Sequence, residues 1–194
     1  MEMENAKKVL IIDAGKLNNL VYVANAKYNK FKTGRIIDYN IHIRRTDEGK
    51  VYAEATDGCC LLRYDIKPDD AFIEAFGNDL IINVKGLKKF TGIWVSLYKI
   101  DSQYIFIDLE GKKQLVDMIE GIYPNTNAII PNTKELCSCY AEQKPEYIKL
   151  KNDIFNNTGI PFQSAPLQPL LWNDANTSET GIVFVVMPIK LQRY

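Results

Sequence analysis

Between residues 35 and 66 the sequence alternates with a period of two, and two tight-turn signals interrupt it. Ile37, Tyr39, Ile41 and Ile43 fall on one face, and Asp38, Asn40, His42 and Arg44 on the other. That period is the side-chain period of a strand, and a helix cannot keep it on one face. Asp47-Glu48-Gly49 supplies the first turn, and Val51, Ala53 and Ala55 resume the alternation. Asp57-Gly58 supplies the second, followed by Cys60, Leu62, Tyr64 and Ile66 on one side. A stretch of this kind folds as an antiparallel meander of three strands.

The flanking segments complete a repeating unit. Lys8 to Ala14 is a β-branched run that reads as a strand, and Gly15 marks a break. From Leu17 the apolar positions Leu17, Leu20, Val21 and Ala24 follow helical spacing, with the helix fading by Asn29. Pro68-Asp69-Asp70 reads as the closing loop. A second copy follows: a strand from Asp79 to Val84, a brief helix from Lys85 to Phe90, a hairpin of Val95–Ile100 and Tyr104–Leu109 around Asp101-Ser102, and a strand from Gln114 to Ile119. Tyr123-Pro124-Asn125 and Ile129-Ile130-Pro131 form an irregular exit. The third portion holds a strand from Leu136 to Ala141 and a helix opening at Pro145 with Tyr147, Leu150 and Ile154 inward. Gly159 suits its left-handed cap, Gln163 to Trp172 is extended, and Gly181 to Leu191 is the last strand. Pro188 in that strand suits an edge, since proline cannot donate to a ladder. The expected class is α+β, with a domain over 1–131 (halves about 8–67 and 79–131) and a half-domain over 132–194.

Little in the chain points to catalysis. His42, the single histidine, lies on the polar face of its strand with no nucleophile beside it. Asp57 precedes glycine and is first a turn former. No phosphate-binding glycine loop, Gly-x-Ser-x-Gly or His-Glu-x-x-His is present. Cys59-Cys60 and Cys137-x-Cys139 are two close pairs that a zinc ion would require to converge. Adjacent cysteines on a strand point to opposite faces, which suits joint chelation badly, so the reading is buried reduced thiols. No metal and no cofactor is expected. The start Met-Glu-Met-Glu-Asn is acidic, unlike a signal peptide, and no apolar run approaches the roughly 20 residues that span a bilayer. The expectation is a soluble, cytoplasmic protein with no membrane contact.

The 24 basic and 24 acidic residues cancel, so only clustering bears on nucleic acid. Residues 1 to 35 carry seven Lys/Arg against three Asp/Glu. Lys16, Lys27, Lys30, Lys32 and Arg35 lie at and beyond the first candidate helix, Lys85, Lys88 and Lys89 at the second, and Lys149 and Lys151 at the third. Lysines recurring on each candidate helix suit a DNA-facing lining of mobile point charges; a solvated helix face is the plain alternative.

Four ordered segments resemble the bacterial DNA polymerase III β subunit (DNA sliding clamp) family. They are Ala55-Thr56-Asp57-Gly58-Cys59-Cys60-Leu61-Leu62, Ile119-Glu120-Gly121-Ile122-Tyr123-Pro124, Ala165-Pro166-Leu167-Gln168-Pro169 and Val185-Val186-Met187-Pro188-Ile189-Lys190-Leu191. Residues 8 to 131 look like the family's middle domain, and 134 to 191 like the second half of its last. The resemblance implies a DNA-clamp fold of repeated β-α-β-β-β halves, with antiparallel sheets on one side and helices on the other. It also implies a groove for partner peptides lined by Tyr39, Thr56, Gly58, Cys59, Cys60 and Leu61, by Pro124, Ala128 and Ile129, and by Leu167, Pro169, Val185, Met187, Pro188, Ile189, Lys190 and Leu191. The sequence departs from the family where Cys59-Cys60 replaces the usual His-Arg and Ala128 a common arginine. The function implied is a processivity factor, a homo-oligomer that encircles duplex DNA without reading its sequence and tethers polymerase or repair proteins. The alternative is a clamp-fold module that binds partners without encircling DNA.

Overall fold

The computed structural model describes residues 6–25, 35–67, 77–131, 137–138, 143, 145–156, 162–163, 169–173 and 181–187. Lys27, Lys30, Lys32, Cys139, Gly159, Leu167, the Pro68-Asp69-Asp70 loop and Pro188 to Leu191 lie outside the described residues. By contacts the chain divides into two compact units, Met1–Asp57 with Tyr64–Tyr123, and Gly58–Arg63 with Pro124–Tyr194.

The first unit contains β1 (Lys7–Asp13), α1 (Ala14–Ala24), β2 (Asn40–Arg45), β3 (Val51–Thr56), the last residues of β4 (Cys60–Ile66), β5 (Asp79–Asn83), β6 (Trp94–Ile100), β7 (Gln103–Asp108) and β8 (Lys113–Met118). Its ladder runs β1-β6-β7-β8-β5-β2-β3, every pair antiparallel. α1 packs against β1, β2, β3 and β6. The helix starts earlier than expected. Asp13 caps it, its Oδ1 accepting from the Lys16 amide at 2.9 Å, so Gly15 sits in the first turn instead of marking a break. The buried stripe is Ala14, Leu17, Leu20, Val23 and Ala24; Val21 is only half-buried. Asn25 ends it, its side-chain amide donating to the carbonyls of Val21 and Val84.

Two expectations fail within this unit. β2 begins at Asn40, so Ile37 and Tyr39 belong to a turn and not to the strand. Asp38 accepts from the Arg35 amide at 3.1 Å, and Tyr39 takes a left-handed φ of 65° with its amide donating to Ala24. The helix expected over Lys85–Phe90 is absent: a turn at Lys85-Gly86, with φ of 78° at Gly86, leads into extended chain. Its backbone groups are already taken by side chains. Asn83 accepts from the Lys85 amide, Gln114 bridges the amide and carbonyl of Lys88, and Asn18 bridges those of Phe90. Lys85, Lys88 and Lys89 therefore sit on a loop.

The second unit contains Cys60–Arg63 of β4, a 3-10 turn at Thr126–Ile129, β9 (Cys137–Ser138), α2 (Pro145–Phe155), β10 (Phe162–Gln163), β11 (Leu170–Trp172) and β12 (Ile182–Val186). The order is β4-β12-β11-β10-β9. α2 opens at Pro145 and buries Tyr147, Leu150, Ile154 and Phe155, the stripe its spacing requires with one residue added. No helix among the described residues is long and apolar enough to cross a membrane.

Candidate functional site: an apolar groove and a buried polar cluster

Of the residues expected to line a groove, Leu61 and Val185 come together in the second unit. Leu61, Leu171 and Val185 form a fully buried cluster, with Ile130 and Val183 packed against it. Leu171 faces Val185 directly in the β11–β12 register, so the cluster is a cross-strand pair extended by β4. The turn after β3 is made possible by Gly58 at φ 89°, a conformation with little cost for glycine. The Met187 amide donates to the Cys59 carbonyl at 2.9 Å, joining the end of β12 to that turn. In the same unit Met187 is 45% exposed and Ile129 44%, while Cys59, Ala128 and Pro124 are exposed and Pro169 half-buried. The exit segment is held from below: Arg63, itself buried, donates from Nη2 to Thr126 Oγ1 at 2.7 Å, and Asn125 caps the 3-10 turn by accepting from the Asn127 amide. The second unit thus holds a buried apolar cluster together with the exposed apolar side chains of Met187 and Ile129.

Cys59 lies in the turn before β4 and is exposed, whereas Cys60 opens the strand and is buried, so only Cys60 is the buried thiol expected of both. No group of three or more metal-ligating side chains occurs among the described residues. Tyr39 and Thr56, the other two expected lining residues that are described, belong to the first unit. Thr56 is buried, and Tyr39 is half-buried with Lys85 Nζ 5.4 Å above its ring.

The first unit holds an arrangement the alternation pattern hides. His42, on the polar face of its strand, is 4% exposed, and Glu54 is 0% exposed. His42 Nδ1 lies 2.9 Å from Glu54 Oε1 and Nε2 2.7 Å from Asp79 Oδ1, so both ring nitrogens are engaged and neither serves as a general base. Tyr123 stacks on the imidazole, centroids 4.5 Å apart and planes 24° apart. Its hydroxyl is buried beside the Thr56 backbone. Burial first, and the Glu54 carboxylate second, push the phenol far above its ordinary value, while the neighbouring Thr56 amide acts weakly the other way. A hairpin centred on Glu48 sets residue 54 opposite residue 42, so Glu54 was legible as a partner; Asp79 and Tyr123 come from far along the chain.

The basic residues do not form a uniform set. Lys16 Nζ lies 5.4 Å over the Tyr64 ring and Arg35 pairs with Asp38 at 3.1 Å. Lys88, Lys89 and Lys149 are exposed, whereas partial burial lowers the Lys151 amine from its ordinary value. Lys16 also borders a cavity of about 760 Å³ with Ile11, Asp65, Lys67, Trp94 and Leu109, a concavity none of the expected groove residues lines.

Set beside solved structures, this arrangement has close counterparts in fold. The Streptococcus pneumoniae DNA polymerase III β chain superposes with a TM-score of 0.62 at 15% identity, covering 98% of this chain and 67% of that one. The Bacillus subtilis DNA polymerase sliding clamp gives 0.62 at 15%, with 98% and 66% covered. A Bartonella birtlesii sliding clamp bound to griselimycin gives 0.61 at 15%, with 98% and 68% covered. The chain has the sliding-clamp fold. It spans about two thirds of the length of these clamps. No protein-family model matches the sequence, and no curated protein does either.

Proposed function

We propose that the chain is a sliding-clamp-like processivity factor, which encircles duplex DNA as a homo-oligomer and tethers polymerase or repair proteins through the groove of the second unit. The clamp fold over 98% of the chain is the observation that carries this reading. A peptide with two or three apolar anchors needs a shallow apolar channel, and a methionine edge adapts to different anchors. The exposed Lys88, Lys89 and Lys149 suit weak, salt-sensitive phosphate contacts that permit sliding. Retention on closed circular DNA with loss from linear DNA is the expected result. Equal loss from both removes the reading.

A second reading, a clamp-fold module that binds partners without encircling DNA, is favoured by a specific observation. Lys16, Arg35 and Lys85 are engaged within the chain by Tyr64, Asp38 and Tyr39, and the net charge is +0. A monomer in sedimentation at high concentration that still captures an apolar-anchored peptide selects it.

A further inference from the structure

We propose that the sheet face of the first unit around Trp94 and Tyr98 binds single-stranded nucleic acid, whose unpaired bases stack on these two rings. β6 alternates cleanly. Val95 and Leu97 are fully buried, so Trp94, Ser96 and Tyr98 fall on its other face. Trp94 is 49% exposed and Tyr98 half-buried. Four positions along a strand separate the rings by about 13 Å, so each can take a base of its own. The register sets Lys8 opposite Tyr98, Ile11 opposite Ser96 and Asp13 opposite Trp94, on that same face. At the Trp94 end lies the cavity of about 760 Å³, walled by Ile11, Trp94 and Leu109 and rimmed by Lys16 and Lys67.

Each part of this surface suits a part of a nucleotide. A half-exposed indole offers a flat apolar platform, and every base has a π-face to lay on it. The lysines suit the phosphates. Lys67 is exposed, and Lys16 is held in place, its Nζ 5.4 Å over the Tyr64 ring, whose hydroxyl accepts from Asn19 at 3.1 Å. An ammonium over a ring keeps N–H donors for an anion. Asp13 and Asp65 stand in the same lining, and Asp13 Oδ1 already accepts from the Lys16 amide. These carboxylates repel an acidic peptide, yet a carboxylate accepts from the exocyclic amine of cytosine. An apolar peptide or a lipid chain, by contrast, has no use for four charged side chains at the rim. Every residue of the surface belongs to the first unit, and neither Lys88 nor Lys89 lines the cavity, so the inference stands apart from both the peptide groove and the duplex contacts.

The test titrates the full chain with oligodeoxycytidylate at low salt. Tryptophan emission is read in Trp172→Phe, where Trp94 alone reports, and affinity from the anisotropy of a fluorescein-labelled strand. If Trp172→Phe does not fold, the wild type serves, because Trp172 is 1% exposed and a stacking base cannot reach it. Support consists of quenched Trp94 emission, roughly tenfold weaker capture in Trp94→Leu, and weaker capture with a shallower salt dependence in Lys67→Gln. Lys67 is an exposed site, which keeps the test readable should Trp94→Leu not fold. The paired change Lys88→Gln with Lys89→Gln is expected to leave capture of the strand as it was; a loss equal to that of Lys67→Gln means diffuse charge attraction and overturns the proposal. Absent quenching, or wild-type capture by both Trp94→Leu and Lys67→Gln, overturns it as well. So does equal competition by a duplex or by deoxycytidine monophosphate at matched nucleotide concentration, and so does a peptide with leucine and phenylalanine anchors that quenches Trp94 where the strand does not.

Discussion

The two units put their buried strands to opposite uses. In the first, β2 and β3 bury both faces, and the polar side is closed around His42, Glu54 and Tyr123. In the second, Leu61, Leu171 and Val185 make a dry cluster whose surroundings stay open, with Met187 and Ile129 nearly half exposed. A closed polar network is rigid and intolerant of losing one member. An apolar floor with exposed apolar edges tolerates change and has surface left to bind something.

The two tryptophans allow that contrast to be measured, because Trp94 reports from the first unit and Trp172 from the second. The largest effect is expected from His42→Ala, which removes the imidazole held between buried Glu54 and Asp79. It should cost the first unit about 3–5 kcal/mol, read by urea unfolding of a variant retaining only Trp94. Leu171→Ala should cost the second unit about 2–5 kcal/mol through the cavity it leaves, read with only Trp172 retained. If either loss appears with equal size at both probes, the units do not behave separately.

Smaller effects sharpen the comparison. Met187→Glu should leave stability within about 0.5 kcal/mol, as for other exposed sites, yet abolish capture of the apolar-anchored peptide in anisotropy. Unchanged affinity would move the groove elsewhere. For Tyr123 the direction of the pH effect follows from its raised phenol. Above pH about 10 the unfolded phenol ionises and the folded one does not, so the unfolded state binds fewer protons and stability falls as pH rises. The wild type should therefore lose about 1.4 kcal/mol more than Tyr123→Phe in total between pH 9 and 11, measured by urea midpoints across that span, roughly bracketing the ordinary phenol value. Parallel profiles would show that Tyr123 ionises as freely folded as unfolded.

Local chemistry made much of the fold legible. The meander around Gly49 and Gly58, the Tyr147-Leu150-Ile154 stripe and the Pro145 start are set by period and turn residues, and each is where the sequence puts it. Lys85–Phe90 was misread because Leu87 and Phe90 have helical spacing, while the groups that undo the helix, Asn18 and Gln114, lie far along the chain. The burial of His42 on the polar face of its strand was out of reach of the sequence for a related reason. Alternation separates the two faces of a strand but does not say whether the second face meets water or Tyr123.

By itself the sequence determined most element types, the turn positions at Gly49 and Gly58 and the apolar character of Leu61 and Val185, because each depends on neighbours within a few positions. Only the tertiary structure decided which polar face is closed, since burial depends on residues some 80 positions away, as with Tyr123 over His42. It also decided that the Cys59 turn and the end of β12 are tied by a main-chain bond, a contact between residues 128 positions apart that no local pattern encodes.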